Sequence, residues 1–95
     1  MEFALPDLAP GTYSVTLDFK SAYNRGIVQA KLDGTAFGTS CDQYSPDFVY
    51  YVHCSLGSVN VRTGGSHLLR LTVTDRNNAS QGYAVTVERF TFTSM

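Results

Sequence analysis

Residues 12–19 alternate without a break, with apolar Tyr13, Val15, Leu17 and Phe19 set against polar Thr12, Ser14, Thr16 and Asp18. Side chains of an extended chain point to opposite faces in turn, so this pattern predicts a strand with one buried and one wet face. The same period returns in Val28, Ala30 and Leu32 against Gln29, Lys31 and Asp33, and in Phe48, Tyr50, Val52 and Cys54. It returns again in Leu69, Leu71 and Val73 against Arg70, Thr72 and Thr74. The last run, Tyr83, Val85 and Val87 followed by Phe90 and Phe92, slips phase by one residue. A bulge near Glu88-Arg89 would return both halves to one face. Shorter strands are predicted at residues 3–5, 36–37 and 59–61, and no window of about 11 residues carries a helical period behind a cap.

Between the runs stand Pro10-Gly11, Asp33-Gly34, Gly64-Gly65 and Asn77-Asn78, dipeptides that favour turns through positive φ or side-chain-to-backbone bonds. Asp33-Gly34 reads as a hairpin turn. Strands joined in this way predict an all-β chain, an antiparallel β-sandwich of two packed sheets.

The length of 95 residues suits one domain with a modest core, taken to span residues 1–95. At 43% apolar and 16% charged residues, the composition is that of a packed chain and not a disordered one. Net charge is −1 with no run of either sign, so there is no electrostatic case for nucleic acid or for an anionic membrane as partner. The longest apolar run, Phe48-Val49-Tyr50-Tyr51-Val52, is far short of the roughly 20 residues of a membrane helix. No basic start followed by an apolar core resembles a signal peptide. Cys41 and Cys54 are the two cysteines, and a disulfide between them is the favoured reading, with separate buried thiols as the alternative. Neither a C-x-x-C pair nor a suitably spaced His partner supports a zinc site.

The stretches GTYSVTLDFKSAYNRGIVQAKLDGTAFGTSCDQY, LGSVNVRTGGSHLLRLTVTD and SQGYAVTVERFTF follow one another in order. In them Gly11-Thr12-Tyr13 opens a strand, and Asn24-Arg25-Gly26, Asp33-Gly34, Gly38, Asp42, Tyr44, Leu56-Gly57, Gly65-Ser66-His67 and Gly82-Tyr83 mark corners. Over about residues 3–92 this succession resembles the galactose-binding-like jelly-roll modules appended to secreted bacterial glycoside hydrolases and polysaccharide lyases. The resemblance implies a jelly-roll sandwich, noncatalytic binding of a polysaccharide or oligosaccharide, a catalytic domain as tethered partner, and a secreted, extracellular setting. The alternative is a structural module of the same fold that packs domains or subunits together without binding sugar. The chain departs from the pattern at Glu88, where such modules commonly place Asp. It also departs in the strands that usually precede the segment matching Phe3-Ala4-Leu5-Pro6. A sandwich short of its opening strand leaves an edge exposed, so a homodimer by edge pairing or strand exchange is expected.

Sugar binding needs flat rings for pyranose C–H faces and planar donors or acceptors for hydroxyls. Trp is absent and there are six Tyr. Tyr13 and Tyr83 fall on inward phases and are expected in the core. Tyr23 and Tyr44 flank Asn24-Arg25-Gly26, and Tyr51 lies on the opposite phase to the apolar set of its strand. The candidate carbohydrate-binding residues are therefore Tyr23, Asn24, Arg25, Tyr44 and Tyr51. Arg25 reads either as a donor fork for a sugar or as an internal pin, perhaps on Asp42. His53 shares the phase of Tyr51, and His67 follows a Gly-Gly turn. The loop acids Asp42, Asp47 and Asp75 offer the oxygen ligands that a structural calcium would need. No carboxylate pair, nucleophile elbow or phosphate loop is distinguished, so a noncatalytic chain is expected. Asn78-Ala79-Ser80 fits the glycosylation sequon.

Overall fold

The computed structural model describes residues 1–95. Its eight strands are β1 (Glu2–Leu5), β2 (Gly11–Ser21), β3 (Ile27–Leu32), β4 (Thr35–Ala36), β5 (Cys41–Asp42), β6 (Val49–Val61), β7 (His67–Asp75) and β8 (Arg89–Ser94). All pairings between them are antiparallel. One sheet runs β1-β7-β3-β4 with β5 also on β3, and the other runs β6-β2-β8. The chain is thus the all-β sandwich that its period-2 pattern predicts.

Between the sheets lie Val15, Leu17 and Phe19 of β2, Val28, Ala30 and Leu32 of β3, and Leu69 and Leu71 of β7, all buried. Phe3 meets Phe90, and Tyr13 meets Phe92, edge to face with centroids 4.9 and 6.1 Å apart. Asp33 and Gly34 both take positive φ, 49° and 86°, as a two-residue hairpin turn between β3 and β4 requires. Cys41 and Cys54 are bridged, tying β5 in one sheet to β6 in the other. A staple over so short a loop contributes about 3 kcal/mol in the chain-entropy model. Beside it the chain crosses itself at Gly38. A Cβ there would lie 1.4 Å from the Leu56 carbonyl oxygen, so only glycine allows the crossing.

Two bulges in β6 change the predicted phases. Val15 pairs with Gly57 and Thr16 with Ser55, so Leu56 is an extra residue and turns into the core. Residues 59–61, expected as a separate strand, are the end of this same β6. Phe19 pairs with Val52 and Ser21 with Val49, so Tyr50 and Tyr51 together oppose Lys20. The second bulge corrects the expectation that Phe48 and Tyr50 point inward. They are 57% and 62% exposed, because an extra residue reverses the alternation on its far side.

The last run also differs from its prediction. Only β8 is a strand, and Tyr83, expected in the core, is 58% exposed. Side chains take the place of a strand partner here. The Gln43 amide, fully buried, donates from Nε2 to the Thr86 carbonyl and accepts the Thr86 N–H at Oε1, each at 3.0 Å. Thr86 Oγ1 accepts the Lys20 N–H at 3.1 Å and donates to the Lys20 carbonyl at 2.9 Å. Residues 83–88 are therefore laid beside β2 chiefly by Gln43 and Thr86, with one direct backbone bond to it, from the Glu88 N–H to the Asp18 carbonyl at 2.8 Å.

Candidate functional site

The bulge at Tyr50-Tyr51 builds an aromatic surface at one end of β2 and β6. Tyr23, from the turn after β2, is 44% exposed and meets the Phe48 ring edge to face at 6.0 Å. Lys20 Nζ lies 4.5 Å from the Phe48 centroid and 4.6 Å from that of Tyr50. This cation–π clamp fixes the two rings relative to each other. Lys20 enters none of the ion pairs of the chain, so its ammonium keeps donors for an added partner.

Of the predicted site residues, Tyr23 stands in this cluster and Tyr51 adjoins it, whereas the others serve the fold. Arg25 is 9% exposed; its Nε donates to the Lys20 carbonyl at 3.1 Å and its Nη1 to Asn24 Oδ1 at 2.8 Å. Of the two readings of Arg25, the internal pin is the one the structure takes, and its partners are the Lys20 carbonyl and Asn24 and not Asp42. The Asn24 carbonyl accepts the Ala84 N–H, and the Gly26 N–H donates to the Ala84 carbonyl. Asn24-Arg25-Gly26 consequently anchors residues 83–88. Tyr44 is half-buried and bridges Ala22, with its N–H donating to Asp42 Oδ1 at 2.9 Å. Asp42 Oδ2 accepts from Asn77 at 2.9 Å, and Asp75 caps the Arg76 N–H. No three His, Cys, Asp or Glu side chains converge into a metal-holding group.

A polar group adjoins the aromatic one on the outer face of the β6-β2-β8 sheet. Asp18, expected on a wet face, is 3% exposed. Its Oδ1 lies 2.5 Å from His53 Nδ1, and its Oδ2 accepts from Arg89 Nε and Nη2 at 3.2 and 3.1 Å. His53 on β6 and Arg89 on β8 flank β2, and together they cover the carboxylate. The hydrogen bond to His53, followed by that to Arg89, holds the Asp18 carboxyl below the usual aspartate range against the effect of burial. Tyr51 sits at φ 55°, and its N–H donates to Glu88 Oε1 at 3.0 Å. Asp18, Tyr51, Glu88 and Arg89 line a depression of about 190 Å³.

Sequence reasoning missed Lys20, Phe48, Tyr50, Asp18, Glu88 and Arg89. A signal for Phe48 and Tyr50 existed in Tyr50-Tyr51, because paired aromatics within a period-2 run mark a place where the period can break. Nothing local marks Asp18 and Arg89, which the sheet brings together from 71 residues apart. A larger cleft, about 540 Å³, lies elsewhere between Met1, Val28, Leu71, Val73, Tyr83 and Val85.

No family model matches the chain, and no curated protein matches it. Among solved structures, a xanthan lyase of Paenibacillus is similar, with a TM-score of 0.89 and 32% identity over 99% of this chain. The match occupies 9% of the lyase chain, so the present chain spans a small part of that protein's length.

Proposed function

We propose that this chain is a noncatalytic carbohydrate-binding module that holds a tethered, secreted carbohydrate-active enzyme on its polysaccharide. The observation that carries this reading is the cluster of Tyr23, Phe48 and Tyr50, three exposed rings, two of them held by the Lys20 ammonium and the third set edge to face on Phe48. Exposed rings offer faces to pyranose C–H groups, and the ammonium offers donors to ring hydroxyls. Tethering raises the local substrate concentration, so weak binding suffices. The likeness to a small part of a xanthan lyase supports a setting beside a polysaccharide-degrading domain, and with it the extracellular location. Electrophoresis through gels containing xanthan, or other soluble polysaccharides in turn, tests the reading. Retardation is expected in at least one gel, and Phe48→Ala with Tyr50→Ala should abolish it with the melting temperature kept. Each lost ring should weaken binding about tenfold, or about 1.4 kcal/mol. Free migration of the unmodified protein in every gel would sink the proposal.

A second reading, a packing module, is favoured by the larger cleft. β1 covers β7 as far as Leu71, whose N–H and C=O bond to Met1. Val73 and Tyr83, 39% and 58% exposed, line this cleft with Val28, Leu71 and Val85, an apolar surface that suits packing against another domain.

A further inference from the structure

We infer that the depression between Tyr51, Glu88 and Arg89 is a second saccharide subsite, which takes one neutral sugar residue through a pair of adjacent hydroxyls. The inference rests on the reading of the chain as a carbohydrate-binding module, and it adds a ligand class and a second contact point to it.

The unspent hydrogen-bonding groups come first. Arg89 gives Nε and Nη2 to Asp18, and Nη1 has no partner in the protein. Glu88 takes the Tyr51 N–H on Oε1, and Oε2 has none. A guanidinium N–H and a carboxylate oxygen, from two consecutive residues, thus stay free at a depression that both residues line. A hydroxyl both donates and accepts. One hydroxyl of a vicinal pair can donate to Glu88 while its neighbour accepts from Arg89, so both unspent groups gain a partner.

These groups are held in place before a ligand arrives. The Arg89 side chain is 70% exposed, yet its inner edge is bound to a carboxylate that is 4% exposed. That anchor removes much of the ordering cost that a free surface arginine would impose on binding. Tyr51 occupies the left-handed region, uncommon for a bulky residue, with Glu88 holding its N–H. Such a conformation persists where the surroundings enforce it, and functional sites are where it concentrates. It sets the Tyr51 ring, 69% exposed, at the rim of the depression.

Charge selects the ligand class. The Arg89 charge is already answered by Asp18, while Glu88 belongs to no ion pair. A sugar carboxylate entering here would meet Glu88 without a free cation to offset it, whereas a neutral polyol meets no such repulsion. Size sets the extent of contact. At about 190 Å³ the depression is smaller than an ordinary ligand pocket, and it accepts the edge of one ring. Because Tyr50 and Tyr51 are consecutive, an extended saccharide can lie across this subsite and the aromatic cluster together.

NMR titration of the ¹⁵N-labelled protein tests the inference. The probes are β-linked tetrasaccharides of glucose, mannose and galactose, each beside a counterpart with its primary alcohols oxidised to carboxylates. At least one neutral probe should shift the Tyr51, Glu88 and Arg89 amides together with those of Phe48 and Tyr50. Glu88→Gln and Arg89→Lys should each weaken that probe about tenfold, with an otherwise unchanged spectrum showing an intact fold. Shifts confined to the aromatic cluster would overturn the second subsite and leave the proposed function standing. Tighter binding of an oxidised probe at Tyr51, Glu88 and Arg89 would overturn the neutral class. No shift with any probe would overturn both the subsite and the module reading on which it rests.

Discussion

His67 faces an acceptor at each ring nitrogen. Nδ1 lies 2.5 Å from Asp33 Oδ2 and Nε2 lies 2.7 Å from the Thr63 carbonyl, with the side chain 7% exposed. A carbonyl cannot donate, so Nε2 carries a proton, and with the Asp33 carboxylate ionised Nδ1 carries one too; the charged ring then latches the β3–β4 turn to the loop before β7. The Asp33 hydrogen bond first, then the Thr63 carbonyl, raise the His67 pKa above its usual value. His67, followed by the Leu68 N–H, lowers that of Asp33. A raised folded pKa gives stability that is complete below the unfolded value of about 6.5 and is lost as pH rises through the folded value. The lowered Asp33 gives stability present above its unfolded value and lost as pH falls through the folded one. The urea midpoint should therefore fall between pH 6 and pH 9, and His67→Gln should flatten that fall. An unchanged slope in the variant would show that the latch does not titrate. The sequence placed His67 after a Gly-Gly turn but could not pair it with Asp33, 34 residues away.

Among the elements, β2 was legible because its alternation is unbroken and its inward residues meet a core on the predicted side. Residues 83–88 were not, since a sequence pattern counts apolar positions and cannot see that side chains will take the sheet bonds. Gln43 is the residue on which this segment depends. Gln43→Ala would leave the Thr86 N–H and C=O without their partners in a partly buried place. Unmade buried hydrogen bonds cost about 1–3 kcal/mol per group, and a total loss of about 2–4 kcal/mol is expected. Chemical denaturation measures that loss, and hydrogen exchange should show faster exchange of the Thr86 amide. A stable variant with slow exchange at Thr86 would mean that the bonds to Lys20, Asp18, Asn24 and Gly26 hold the segment without Gln43.

For the whole molecule, the disulfide and the crossing at Gly38 lock the sheets on one side, while β8 ends the three-stranded sheet with an outer edge. Its residues Thr91 and Thr93 are exposed, and Arg89, whose charge is committed to Asp18, is its one charged side chain. Little blunts that edge against a second copy. A dimer is expected, and light scattering coupled to size exclusion at micromolar concentration will read its mass. A folded monomer would show that the β8 edge is closed without a partner.

By itself the sequence determined the class of the fold, because period-2 alternation with turn dipeptides between the runs admits one backbone conformation and two faces. It also placed the Asp33-Gly34 hairpin and marked Tyr23 and Tyr51 as surface aromatics. It favoured a bridge between Cys41 and Cys54 over two separate thiols without establishing it, since pairing depends on whether two chain positions meet in space. Tertiary structure alone decided that they do. It also turned Arg25 inward, made Phe48 and Tyr50 a surface, and gathered Asp18, His53 and Arg89 on one sheet face. The physical reason is common to all of these. A single inserted residue reverses every side chain beyond it, and contacts across a sheet join residues whose separation along the chain carries no local trace.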